Sequence, residues 1–494
     1  MPTPPKWLAG FAIALLPLTS PIGAQLTTPP TNAPASAATR SSADLARLAD
    51  AVFARWDSSS AVAPGCALGV DRAGAPRFSR AWGRADLEFD APNSPATIFE
   101  AGSVSKQFTA AATVLLALDG KLNLDDDVRR YVPELPQYER PITIRHLLNH
   151  TSGLRDWGDI VSLAGWPRGM RRYTHDDVLQ VLARQSALNY PPGDRYSYTN
   201  SGYNLLAMIV ARVSGMPFAE FSRTRLFEPL GLTHTQWRDD YSRIVKGRAQ
   251  AYEPAGSGWR LEMPFENVHG NGGLLTTVGD LLTWTGVLEH PSPAWRALVD
   301  SMHVRGRLTS GDTITYALGL FIDEYRGVRR VQHSGATAGY RAYLVRFPDR
   351  GLAIAVLCNA ANASPGTYVN RLSDSLLVGV LAAVERGSSA SNAADTTSSP
   401  DWSPSQRELE AYVGEYRSHD VASTLRVRVD SGALVVEIAP GKEFVLRPRS
   451  PDQFSGLARG IRFVRDSSGR IIELHTSSPR AYDVAWTRLR GAGR

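Results

Sequence analysis

The stretch Phe99-Glu100-Ala101-Gly102-Ser103-Val104-Ser105-Lys106-Gln107-Phe108 sets a hydroxyl and an amine three residues apart, at Ser103 and Lys106, just ahead of the apolar run Thr109 to Leu118. The run predicts a helix that is apolar on nearly every side and ends at Asp119-Gly120, where a glycine supplies a C-terminal stop. A helix of that kind belongs inside a core. Residues three apart share a face, so the two polar heads can meet. Burial disfavours the charged form of an amine, and the positive potential of a helix N-terminus acts in the same direction while favouring a serine alkoxide. A neutral amine beside a serine can make it nucleophilic without histidine. A plainer alternative has Ser103 capping the helix and Lys106 solvated in its first turn. Of the five lysines (Lys6, Lys106, Lys121, Lys246 and Lys442), only Lys106 follows a serine by three residues.

Two later stretches stand in order behind this one: Tyr198-Thr199-Asn200 and His333-Ser334-Gly335. Taken singly, Tyr198 reads as a loop aromatic, Asn200 as a turn former and His333 as a buried structural histidine. Taken together, the three elements resemble the penicillin-recognising serine hydrolases: class C β-lactamases, D,D-peptidases, D-aminopeptidases and related esterases. Supporting text includes Ile144 to Leu154, Pro192-Gly193 ahead of Tyr198, Leu226-Phe227-Glu228-Pro229-Leu230-Gly231-Leu232 and Gly272-Gly273-Leu274. The resemblance implies that Ser103 forms an acyl-enzyme, Lys106 holds or takes its proton, and Tyr198 shuttles protons to the leaving group and later activates water. It assigns Asn200 to the substrate amide, as donor and acceptor. It makes the backbone N–H groups of Ser103 and Ala336 the oxyanion hole, with Gly335 bare so that substrate can approach the strand. No metal or cofactor is implied.

His333 departs from the lysine typical of β-lactamases. An unperturbed imidazole is mostly neutral at pH 7, so a β-lactam carboxylate should bind more weakly unless an arginine compensates. The resemblance therefore points to an amide- or ester-cleaving peptidase of the D-aminopeptidase kind or an esterase. A β-lactamase or D,D-carboxypeptidase stands second, and a binding or sensor protein that acylates without turnover stands outside the enzymes. His146 and His150 are four apart but lack the glutamate of a His-Glu-x-x-His zinc motif, and a structural role at a helix end is the reading adopted for them.

These residues need a frame. Gln25 to Ser42, rich in Pro, Thr, Ala and Ser, reads as a disordered leader, and an amphipathic helix follows with Leu45, Leu48, Val52, Phe53 and Trp56 on one face. Strands are predicted at Cys66–Arg72 and Arg77–Trp82, then again at Ala317–Phe321, Val328–Gln332, Tyr340–Phe347 and Leu352–Leu357. A long, mostly helical middle separates the two sets, with a capping-box start at Thr277-Val278-Gly279-Asp280. Strands at both ends around helices define an α+β domain whose antiparallel sheet is flanked by helices and joined to an all-helical region. The resemblance covers Leu45 to about Glu385 and implies a β-lactamase/transpeptidase-like fold.

The domain boundaries follow: signal peptide 1–24, leader 25–42, hydrolase domain 43–386, flexible linker 387–405 and a C-terminal β domain 406–494. In the last, short alternating strands at regular spacing read as a small antiparallel barrel or sandwich. Its opening, Tyr412-Val413-Gly414-Glu415-Tyr416, resembles the β-barrels appended to some D-aminopeptidase-like proteins.

The chain has 494 residues, 43% of them hydrophobic, enough for a large core. Its net charge of +6 comes almost wholly from arginines scattered among acids, without the basic run that nucleic acid requires. The expected partner is a small-molecule or peptide substrate, with cell-wall fragments among the candidates. Lys6, the apolar Trp7 to Leu18 and Ile22-Gly23-Ala24 form an export signal, and no later stretch of about 20 apolar residues could span a membrane. The expected destination is the periplasm or the exterior. Export permits Cys66 and Cys358 to pair, and two buried free thiols fit the sequence as well.

Overall fold

The computed structural model describes residues 41–57, 62–382 and 402–489. The signal peptide, nearly all of the leader and most of the linker lie outside the described residues.

The first described helix, α1 (Ser42–Phe53), starts at Ser41, whose hydroxyl accepts from Asp44 N while the Asp44 carboxylate returns to Ser41 N. This capping box stabilises the first turn. Leu45, Ala49, Val52 and Phe53 fall on one buried face. That face meets strands β1 (Cys66–Arg72) and β2 (Phe78–Trp82), with Phe53 stacked on Trp82 at 4.3 Å.

The remaining strands of this sheet come from far along the chain: β3 (Phe321–Tyr325), β4 (Val328–Thr337), β5 (Tyr340–Phe347) and β6 (Leu352–Cys358). Their order in space is β3-β4-β5-β6-β1-β2, antiparallel throughout. β6 is buried along its whole length, which explains its unbroken apolar run. Alternate residues of β1 and β6 point into two cores. Leu68, Val70, Ile354 and Val356 pack with α1, while Ala67, Ala355 and Leu357 belong to the larger core shared with the helical region. Register sets Cys66 opposite Cys358, and the two form a disulfide. Of the two readings open in the sequence, the paired one holds.

Two expected strands differ in extent. The expected strand Ala317–Phe321 begins only at Phe321, because Gly319 takes a φ of 75° and turns the chain. A Cβ at Gly319 would sit 2.7 Å from Lys106 O, so only glycine fits there. In the opposite sense, β4 runs on beyond Gln332 through His333-Ser334-Gly335-Ala336 to Thr337.

The helical middle is built around α2 (Lys106–Leu118). Every residue from Lys106 to Val114 is buried, and Gly120 with φ 69° closes the helix. α3 (Trp157–Leu163) and α4 (Asn200–Ser214) lie in the same core, and α5 (Val278–Glu289) covers β1, where a Cβ at Gly69 would meet Leu282 at 2.8 Å. At the start of α5, Thr277 accepts from Asp280 N, but the Asp280 carboxylate binds Thr235 Oγ1 and His234 N instead of completing the expected capping box. On the other face of the sheet, α6 (Pro365–Leu376) packs beside α1.

The C-terminal domain is a closed eight-stranded antiparallel barrel, which settles the barrel-or-sandwich alternative. It runs through β7 (Gly414–Ser418), β8 (Ser423–Asp430), β9 (Ala433–Ala439), β10 (Lys442–Ser450), β11 (Gln453–Ser455), β12 (Ile461–Arg465), β13 (Ile471–Ser478) and β14 (Ala481–Arg488). Leu425, Val427, Leu434 and Val436 alternate inward, and pairing of β7 with β14 closes the wall. The barrel is docked on the helical region through Arg155. Its guanidinium donates to Asp420 Oδ2 at 2.6 Å and to the carbonyl of Tyr482, and both charged side chains are nearly fully buried. Among the described residues no single helix is long and apolar enough to cross a membrane.

Candidate active site

Ser103 sits in a tight 3-10 turn, Gly102–Ser105, that leads directly into α2, so the α-helix proper starts at Lys106 and not at the serine. The turn lacks a side-chain cap, which removes the plainer reading of Ser103. Gly102 takes a φ of 51°, and a Cβ on it would lie 2.5 Å from Ala336 N; one on Gly335 would lie 2.0 Å from Ala101 O. Two bare glycines thus let the serine turn press against β4.

The edge of β4 is free where the turn meets it. β3 pairs only with Val328 to Gln332, leaving 333–337 without a neighbour on that side. On the other side, Thr337 pairs with Tyr340 across a two-residue turn. Hydrogen-bonded and non-hydrogen-bonded pairs alternate from that turn, so the amide of Ala336 points away from β5, toward the serine. The Ser103 and Ala336 amides are thereby brought to one place.

Lys106 Nζ is fully buried and lies 3.2 Å from Ser103 Oγ, 3.0 Å from Asn200 Oδ1 and 2.6 Å from the carbonyl of Asn271. Burial holds the amine well below its ordinary pKa, helped by the positive charges of Arg168 and Arg480 and opposed by Asp156. The two carbonyl oxygens can only accept. A neutral amine must therefore spend both hydrogens on them and turn its lone pair to the Ser103 hydroxyl. The hydroxyl and amine heads meet, as their spacing predicts.

Tyr198 stands over the pair, its ring 4.8 Å from Lys106 Nζ. Burial raises its phenol well above the usual value, with the Ser103 hydroxyl opposing, so the resting group is a protonated phenol. Its Oη is buried without a hydrogen bond of ordinary geometry in the resting site. His150 packs against the ring at 4.2 Å.

Asn200 opens α4. Its backbone N–H donates to Asp156 Oδ2 at 2.7 Å, and its side-chain oxygen is taken by Lys106. The amide N–H2 is available to donate to substrate, and Oδ1 keeps a second lone pair beside the one that Lys106 engages. Asp156 caps α3 as well, accepting from Gly158 N at 3.0 Å, and thus ties two helix starts together under the site.

His333 lines the cavity with both ring nitrogens engaged within the protein. Its Nδ1 lies 2.7 Å from Ser334 O and its Nε2 3.1 Å from Tyr316 Oη. A carbonyl only accepts, so Nδ1 carries the hydrogen and Nε2 accepts from Tyr316. Burial, with the nearby Lys106 charge, pushes its pKa down to about 3. The ring is neutral and both nitrogens are engaged within the protein, so it positions β4 and does not supply a charge.

His146 and His150 also take the structural roles expected. His146 Nδ1 accepts from Thr143 N, and His150 Nδ1 accepts from Thr199 N. Among the described residues no cluster of metal-ligating side chains occurs. Ser103, Tyr198, Asn200, His333, Gly335 and Ala336 line one open cavity of about 760 Å³. His150, Asp156, Asn271 and Tyr316 complete the site without having been singled out for it. Asp156 had a local signal, a capping aspartate ahead of an apolar helix; Asn271 contributes a backbone oxygen, which no residue type announces.

The Beta-lactamase family model matches residues 45–377. The chain belongs to that family. It is 30% identical over 300 residues to a D-aminopeptidase of Cereibacter sphaeroides (strain KD131 / KCTC 12085), covering 60% of this chain and 57% of the relative. The fold is also that of the octameric penicillin-binding protein homologue from Pyrococcus abyssi (TM-score 0.59, 22% identity, 91% of this chain and 100% of that one). It matches the D-amino acid amidase of Ochrobactrum anthropi SV3 with a TM-score of 0.56 at 22% identity, over 67% of this chain and 98% of the amidase. The chain spans about three fifths of the length of the relatives it matches by sequence.

Proposed function

We propose that this protein is an exported serine hydrolase that cleaves an amide or ester bond through an acyl-enzyme on Ser103. The observation that carries the reading is the buried Lys106 amine, 3.2 Å from Ser103 Oγ, with its two other hydrogen-bonding directions fixed on the oxygens of Asn200 and Asn271.

In this mechanism Lys106 takes the proton of Ser103 as Oγ attacks the carbonyl carbon. The oxyanion is held by the amides of Ser103 and Ala336, and the amide N–H2 of Asn200 holds the acyl part. Tyr198, a phenol at rest, gives its proton to the departing nitrogen or oxygen and regains one from Lys106. Water then enters where the leaving group stood. The same groups remove its proton and release Ser103.

The proposed substrates are peptides of the D-aminopeptidase kind or cell-wall fragments, with simple esters next. The similarity to D-aminopeptidases over the catalytic region supports the first. The neutral His333 argues against a dedicated β-lactamase that binds its carboxylate at that residue. A D,D-carboxypeptidase or a non-turning-over binder would keep the same acylation step. The Cys66–Cys358 disulfide supports an exported protein, because such bonds persist in oxidising compartments.

The test is intact mass of the protein after brief exposure to a chromogenic acyl ester or to benzylpenicillin, with Ser103→Ala alongside. Ester turnover that disappears in the variant, with little penicillin adduct, is the expected result. A penicillin adduct that forms and clears rapidly would move the protein to the β-lactamases, and a persistent one without turnover of either compound to the binders.

A further inference from the structure

The cavity beside Ser103 is lined by three arginines, Arg168, Arg341 and Arg480, and by neither aspartate nor glutamate. The arginines are differently placed to act on a ligand. Arg168 is forked onto the buried Glu266. Arg341 donates to the carbonyls of Ala338 and Tyr340, both at 2.7 Å.

Arg480 is different. It belongs to the barrel, in the β13–β14 turn, and reaches the catalytic cavity from outside the catalytic domain. Its backbone does the docking: Arg480 N donates to Asp159 Oδ2 at 2.8 Å, and Arg480 O accepts from Asp156 N at 2.9 Å and Asn189 Nδ2 at 3.0 Å. The guanidinium forms ion pairs with Asp156 at 3.6 Å and Asp159 at 3.8 Å, both longer than a hydrogen bond. Both carboxylates also accept hydrogen bonds from other donors. Gly158 N, Asn200 N and Thr199 Oγ1 hold Asp156, and Ser478 Oγ and Arg480 N hold Asp159. The side chain of Arg480 is 37% exposed, and the residue lines the cavity. Paired by charge but donating no hydrogen bond within the described residues, its planar fork can donate to a ligand, and that geometry suits a carboxylate.

We propose that Arg480 is a specificity-determining residue contributed by the barrel, and that it selects amide or ester substrates carrying a carboxylate on the acyl part. The acyl side follows from position. Arg480 is coupled through Asp156 to the start of α4, where Asn200 is placed. The charge that His333 does not supply from β4 comes instead from the barrel. This inference rests on the acyl-enzyme reading above and adds the substrate's charge to it.

The test compares the full-length protein with its Arg480→Ala, Arg480→Lys and Arg480→Glu variants on the p-nitrophenyl monoesters of glutarate (anionic), valerate (neutral) and aminovalerate (cationic). The readout is the ratio of kcat/KM values between esters, because any effect of Arg480 on Lys106 is shared by all three and cancels. The wild type should prefer glutarate over valerate. Arg480→Ala should lower that ratio by about tenfold or more, chiefly through KM. Arg480→Lys should recover part of it, and Arg480→Glu should turn the preference toward aminovalerate. Raising salt should narrow the wild-type ratio. A ratio unchanged in Arg480→Ala, or a wild type indifferent to ester charge, overturns the inference while leaving the hydrolase reading intact. Absence of Ser103-dependent turnover on all three esters overturns the hydrolase reading and this inference with it.

Discussion

Replacing Gly335 by alanine tests the proposed oxyanion hole at the contact between β4 and the serine turn. The new Cβ would lie 2.0 Å from Ala101 O, and its other near neighbours are Ala101 C at 3.0 Å and the Ala342 side chain at 3.2 Å. Contacts of a Cβ with backbone oxygen do not close below about 3 Å, so β4 and the serine turn must separate by about 1 Å. Neither side can yield alone: Ala101 N is bonded to Leu274 O at 2.8 Å, and β4 is paired to β5 along 331–337. An oxyanion donor works at 2.7–3.1 Å, so a shift of about 1 Å removes the Ala336 amide from the transition state, a loss of about 100- to 1000-fold in kcat, or roughly 3–4 kcal/mol. The assay is steady-state kcat on p-nitrophenyl valerate together with the rate of Ser103 acylation by intact mass. Gly286→Ala serves as a folding comparator, because a Cβ there meets nothing within 4 Å on a helix, where alanine is preferred to glycine. A folded Gly335→Ala protein that acylates at the wild-type rate would refute the placement of the oxyanion hole at this seam.

Other consequences can be measured directly. Reducing or removing the Cys66–Cys358 bond, which closes a loop of 292 residues, should cost about 2–5 kcal/mol of stability, read as a lower Tm, while Ser103-dependent turnover persists below that temperature. His333 and His303 are held at about 3 and about 4 against an unfolded value near 6.5, so between those limits the unfolded chain binds protons the folded one refuses. Stability is therefore full above pH ~6.5 and falls as pH drops toward 3; calorimetry should show the Tm decline, and His333→Gln should flatten it. Because His333 is already neutral above about pH 3, the acid limb of kcat/KM should keep its position in His333→Gln; a displaced limb would assign it to the histidine. Asp420→Ala strands the buried Arg155 charge between barrel and helical region and should destabilise by about 3–5 kcal/mol, with limited proteolysis first cutting at the barrel.

The elements were legible to different depths. Strands β1 and β5 matched their expected limits, because alternation and apolar runs read directly as a half-buried or buried strand. Ser103, Lys106, Tyr198 and Asn200 were legible as motifs, and the fold brings them together across 94 residues of chain between Lys106 and Asn200. What sequence left out is long-range pairing. The spacing of His333 gave its place on the strand but not the Tyr316 hydroxyl that occupies its Nε2, which depends on Gly319 turning the chain just ahead of β3. Asn271 acts through a carbonyl, so its residue type carried no signal. Arg480 lies 324 residues beyond its ion-pair partner Asp156, in a turn whose own pattern describes only a barrel hairpin.

The sheet order carries a temporal consequence. β1 is sandwiched between β2 and β6, so a chain growing from its N-terminus makes the first two strands and then has nothing to pair with β1's second edge until Leu352–Cys358 has emerged. The whole helical region must be held in that interval, and the long closure is slow. Cys66 stays without its partner for just as long, so the native bond can form only once β6 has paired with β1. The bond therefore marks the end of assembly, and a chain cut short ahead of β6 has no native way to cover its earliest strand.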